Sequence, residues 1–86
     1  MPGPIRSIFC PANQWTQVEW TVNLPFLIRR WNAPGTTVRW RWFSSGPPWY
    51  WEGTFAGSAC ITFGPGFYTS LEFNPTTPVT VTWEPC

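Results

Sequence analysis

Histidine, aspartate and lysine are absent from this chain, and charge of either sign is sparse, at 10% of residues against roughly 25% in ordinary soluble domains. Each absence excludes something. Without histidine, no side chain has an unperturbed pKa near neutrality. Without aspartate or lysine, the groups available for acid and base work reduce to Glu19, Glu52, Glu72 and Glu84. Paired glutamates can cleave glycosidic bonds, but none of these four sits in a recognisable motif, and a body of 86 residues has little room for a cleft. The expectation is a protein that is not an enzyme. The missing histidine also denies the three cysteines a zinc site or a Cys-His nucleophile pair, so neither a metal nor a cofactor is expected.

Long apolar runs are missing too. No stretch approaches the roughly 20 residues of a membrane span, and the opening Met-Pro-Gly-Pro-Ile-Arg lacks the apolar centre of a secretory signal. No compartment is assigned by these features; a virion or a cell surface would suit a subunit of an assembly. The five basic residues, all arginine, give a net charge of only +1, too weak a field to favour nucleic acid or an anionic membrane. The asparagines fail as glycan acceptors, since Asn74 precedes Pro75 and the others lack the required hydroxyl residue.

What is present is aromatic. Eight tryptophans, seven phenylalanines and two tyrosines make up 20% of the chain, and each ring buried removes on the order of 150–250 Å² from water. A small domain buries a modest share of its surface, so eight indoles exceed what one core can hide. Tryptophan, tyrosine, phenylalanine and arginine in quantity, with lysine and aspartate missing, is the composition of a protein–protein interface. Codon bias in a GC-rich genome would also favour arginine over lysine, but it does not explain the missing aspartate.

Cys10, Cys60 and Cys86 are odd in number, so at least one is unpaired or pairs between chains. Buried thiols, a Cys10–Cys86 or Cys60–Cys86 bridge, and an intermolecular bridge or reactive thiol all remain open.

Eleven prolines and seven glycines are spread along the whole length and punctuate short elements. No window holds a helical apolar period over three turns without a proline, so the chain reads as all-β. A proline-bearing arm at residues 1–4 precedes a short strand at 5–9. Residues 14–22 alternate, with Val18, Trp20 and Val22 on one face and Gln17, Glu19 and Thr21 on the other. A third strand at 26–31 carries Arg29 and Arg30 and ends in the turn Asn32-Ala33-Pro34-Gly35. Strands at 38–43 and 49–55 form the central hairpin. After Ala56-Gly57 come 58–63 with Ala59, Ile61 and Phe63 inward, 67–73 with Phe67, Leu71 and Phe73 opposing Tyr68, Ser70 and Glu72, and 79–83 with Val79, Val81 and Trp83 alternating with Thr80 and Thr82. The expected architecture is a small antiparallel β-sandwich or barrel of about seven to nine short strands, as one domain over residues 1–86.

The rest is organised around the central hairpin, which holds Trp40, Trp42, Trp49 and Trp51 with Arg39, Arg41 and Glu52. Two registers are open. Pairing Phe43 with Trp49 divides the tryptophans between the faces; a one-residue slip gathers all four on one face and sets Arg39, Arg41, Tyr50 and Glu52 on the other. The candidate binding residues are Arg39, Trp40, Arg41, Trp42, Trp49, Tyr50, Trp51 and Glu52. The competing structural reading makes the rings core and the arginines its solvated rim.

The expectation that follows is a non-catalytic structural or assembly subunit, such as a virion coat or decoration protein, or a filament or surface-layer subunit. It would bind copies of itself or a larger scaffold through an aromatic and arginine-rich face. The alternative is a lectin-like carbohydrate-binding module, with Trp49 and Trp51 stacking on sugar rings while Arg39, Arg41 and Glu52 bond hydroxyls. Single-stranded nucleic acid, through Arg30-Trp31 and residues 39–42, ranks third because the arginines are nearly balanced by glutamates.

Overall fold

The computed structural model describes residues 7–24, 27–46, 49–63 and 66–86. The arm at 1–4, Ile5 of the first expected strand, Phe26 of the third and the prolines of the central turn lie outside the described residues. Six strands form among those described: β1 (Ser7–Cys10), β2 (Thr16–Leu24), β3 (Leu27–Ser44), β4 (Tyr50–Phe63), β5 (Gly66–Pro75) and β6 (Val79–Glu84). All pairings are antiparallel, in the order β1-β6-β3-β5-β2 with β4 on the other flank of β3. The all-β expectation is met. The expected seven to nine strands are six, and in place of a sandwich one sheet curls into a half-barrel.

The count falls because two expected breaks are corners inside long strands. Asn32-Ala33-Pro34-Gly35 does not end a strand: β3 runs through it, and its register against β4 jumps from Ala33↔Gly57 to Thr37↔Ala56. Pro34, Gly35 and Thr36 are surplus residues on the β3 side, a bulge that bends the strand without ending it. Gly35 (φ +80°) and Gly57 (φ +78°) stand at the corner in the left-handed region that side-chain-bearing residues disfavour. Beyond the bend β3 changes partner. Residues 38–44 pair with β5 and residues 30–32 with β6, and the β5–β6 turn docks on the bulge. There Thr76 N–H donates to the Thr37 carbonyl (3.0 Å), Thr77 N–H donates to Thr36 Oγ1 (3.2 Å), and the Thr36 and Thr76 hydroxyls share a hydrogen bond (3.0 Å). The buried Thr36 thus has its polar atom satisfied, as burial demands.

The core lies on the inner face of the curl and draws on every strand: Cys10, Val18, Trp31, Ala33, Val38, Trp42, Phe55, Ile61, Leu71, Phe73, Val79 and Val81. Trp31 stacks edge-on against Phe73 at 5.1 Å, and Phe55 does so at 5.6 Å, so Phe73 ties the two halves of the bent sheet together. Arg29 also spans the inner side. It pairs with Glu19 of β2, a strand that is not its neighbour in the sheet, while its guanidinium lies 4.0 Å over the Trp83 ring. Burial lowers the Arg29 pKa by desolvation, yet arginine starts so far above neutrality that it stays a cation.

Cys60 and Cys86 form a disulfide, and Cys10 remains a free, buried thiol. Burial pushes the Cys10 thiol above its ordinary range, with a hydrogen bond involving Thr16 acting in the opposite direction. Of the pairings left open by the sequence, this is one intramolecular bridge together with one buried thiol.

Candidate interaction surface

The register of the central hairpin decides which side chains share a face. Arg41 stands opposite Glu52, Trp42 opposite Trp51 and Phe43 opposite Tyr50, which is the slipped register for Trp40, Trp42 and Trp51, while Trp49 precedes β4 and lies outside the ladder. Alternation then puts Arg39, Arg41, Tyr50 and Glu52 on the outer face and sends Trp40 and Trp42 inward. β5 extends that outer face with Glu72, Ser70 and Tyr68, since Arg41 pairs with Glu72 and Phe43 with Ser70.

Arg41 is the hub of this face. Its Nε and Nη2 both reach Glu72 Oε1 at 2.8 Å, and its guanidinium lies 3.9 Å from the Trp15 ring centroid and 5.1 Å from that of Phe43. The Arg39 guanidinium lies 5.2 Å from the centroid of the same Trp15 ring. Phe43 and Tyr50 stack at 5.2 Å, and Tyr50 Oη donates to Glu52 Oε1 at 3.2 Å. The Tyr50 phenol is held above its usual pKa, by partial desolvation first and then by Glu52, with Arg41 and Arg39 acting in the opposite direction. Farther along, Trp20 and Tyr68 sit 6.1 Å apart, and Trp20, Val22, Tyr50 and Tyr68 are all exposed.

The eight candidate residues are therefore not one site. Trp42 is 4% exposed and belongs to the core, its indole N–H without a hydrogen-bond partner among the described residues. Trp40 is half-buried, its ring lying over Gly53. Trp51 alternates inward but lies beyond the core and is 56% exposed, and Trp49 at the hairpin end is 60% exposed. Trp49 has φ of +71°, a conformation a bulky residue enters only at a cost. Two backbone bonds hold it there: Ser44 N–H donates to the Trp49 carbonyl (2.8 Å), and Trp49 N–H donates to the Gly46 carbonyl (2.9 Å).

No family model, curated protein or solved structure matches this chain. Its chemistry rests on its own residues.

Trp15, Phe43, Glu72, Trp20, Val22 and Tyr68 join the outer face without having been singled out in the sequence. Trp20 and Val22 were expected to share a face with Val18. A bulge between Gln17 and Glu19 overturns this: Val18 is buried, Glu19 and Thr21 turn inward, and Trp20 and Val22 turn outward. Of the eight tryptophans, Trp31 and Trp42 are buried, Trp15, Trp40 and Trp83 are half-buried, and Trp20, Trp49 and Trp51 are more than half exposed. Among the described residues no helix is long and apolar enough to cross a membrane.

Proposed function

We propose that the protein is a non-catalytic assembly subunit that binds copies of itself, or a larger scaffold such as a coat, filament or surface layer. The contact surface is the outer aromatic and arginine face together with the hairpin end. The observation that carries this reading is the exposure of Trp20, Trp49 and Trp51. Each leaves in water an apolar area that a partner would cover with a gain of about 25 cal/mol per Å², and tryptophan beside arginine is the chemistry of interface hot spots. The backbone at Trp49 adds to it. A left-handed conformation costs about 1–2 kcal/mol for a residue with a side chain, which a fold has no reason to bear merely to put an indole in water.

Trp49→Gly separates stability from binding. Glycine accepts the positive φ, so the variant keeps the wild-type stability or gains up to about 1 kcal/mol once the extra unfolded-state freedom of glycine is set against the relieved strain. Its self-association, followed by sedimentation over a concentration series, becomes weaker. A variant that unfolds, or a wild-type chain that stays monomeric and ignores every scaffold offered, removes the basis of the reading.

One observation favours a second reading, carbohydrate binding: Trp49 and Trp51 are both more than half exposed at one hairpin end. In that case tryptophan fluorescence of a stable monomer changes with simple sugars, and Trp51→Ala abolishes the change while the fold persists.

A further inference from the structure

The outer face of the β3–β4 hairpin carries one cation and one anion that form no ion pair among the described residues. The Arg39 guanidinium rests over Trp15, and among the described residues Glu52 accepts only the Tyr50 hydroxyl; both side chains are exposed. The other charges on the outer side of β3 close on each other, Arg41 on Glu72 and, beyond the bend, Arg30 on Glu84 at 3.7 Å. Arg39 stands opposite Thr54, and Glu52 opposite Arg41. The spare charges are thus diagonal neighbours on adjacent strands, about 7–8 Å apart at the backbone.

We propose that this face is a two-fold interface with a second copy of the chain, in which Arg39 of each copy meets Glu52 of the other. The inference rests on the assembly reading and names its partner. A two-fold contact uses the same patch twice, so the patch must be complementary to itself. One spare cation beside one spare anion meets that condition, whereas two spare cations would repel their own image. Sheets packed face to face lie about 10 Å apart, a gap that an arginine and a glutamate reaching from opposite sides span between them. Tyr50, 41% exposed, lies beside both charges, and Trp20, Val22 and Tyr68 continue the apolar area on the same side of the sheet. The ion pairs set register and exclude wrong partners, while the rings supply the area removed from water.

Charge reversal tests this, with sedimentation of the full chain as the readout. Arg39→Glu sets two glutamates against each other at both symmetric contacts, and Glu52→Arg sets two arginines. Each single variant is expected to self-associate at least tenfold more weakly than the wild type. An equimolar mixture of the two is expected to recover association, because every contact in the mixed pair again joins opposite charges, and the double reversal recovers it alone. Recovery also shows that both single variants are folded. If the single reversals associate as the wild type does, or the mixture fails to recover, this interface is overturned while assembly through another surface stands. A monomeric wild type that still binds a larger scaffold overturns it too, and one that binds nothing overturns the assembly reading as well.

Discussion

Gly53 and Trp40 show how closely this small core is fitted. A β-carbon at Gly53 would lie 2.5 Å from Cζ2, 2.7 Å from Cε2 and 2.9 Å from Nε1 of Trp40. The indole is rigid and moves as a plate, and it already packs against the core, so it cannot yield by bending one atom aside. Gly53→Ala is expected to destabilise the fold by about 1–3 kcal/mol, the usual cost of overpacking, read as a lower denaturant midpoint. Gly46 provides the control: no atom lies within 4 Å of the added carbon and its φ is not positive, so Gly46→Ala should change stability little. If both alanines behaved alike, the close approach of Trp40 would be carrying no energy. The indoles differ at the same scale in what covers them. Trp31 reaches Phe73 across the fold, while Trp49 and Trp51 have passed the last core layer.

For the elements, the decisive feature is the bend shared by β3 and β4. One long hairpin serves both halves of the half-barrel because the surplus at Pro34, Gly35 and Thr36 turns β3 opposite Gly57. Gly57 has open space around it, so a methyl group there meets nothing, and the penalty for Gly57→Ala comes from its φ of +78° alone. That penalty is about 1–2 kcal/mol, and Gly57→Asn should cost less, since asparagine enters the left-handed region more readily. Equal losses for alanine and asparagine in thermal or denaturant unfolding would mean that the corner is not held by backbone conformation.

Across the whole molecule, stability rests on a core too small to be generous and on one covalent tie. The Cys60–Cys86 bridge spans a sequence separation of 26 and anchors residues after β6 to β4, strands that are not neighbours in the sheet. Closing a loop of that length restricts the unfolded chain by about 3–4 kcal/mol in the chain-entropy account. Reduction, or Cys60→Ser with Cys86→Ser, should lower unfolding stability by a comparable amount while the far-ultraviolet spectrum of the folded state stays all-β. Cys10, fully buried, should react with a thiol reagent only as fast as the chain opens. Rapid labelling of the native protein would contradict its place in the core.

Fold class, the burial of Leu71 and Phe73 in β5, and that of Val79 and Val81 in β6 were legible in the sequence, because period-two alternation and proline–glycine punctuation are local physics. Three things were not. Whether a Pro-Gly stretch ends a strand or bends it depends on what stands opposite, here Gly57. The bulge that turns Trp20 and Val22 outward is a single extra residue that alternation alone cannot reveal. The gathering of Trp15 and Glu72 around Arg41 requires the pairing of β3 with β5 and of β5 with β2. Local sequence therefore determined what each strand could offer, and only the tertiary pairing decided which side chains meet, because register is set between strands distant in the chain and a shift of one residue exchanges every face.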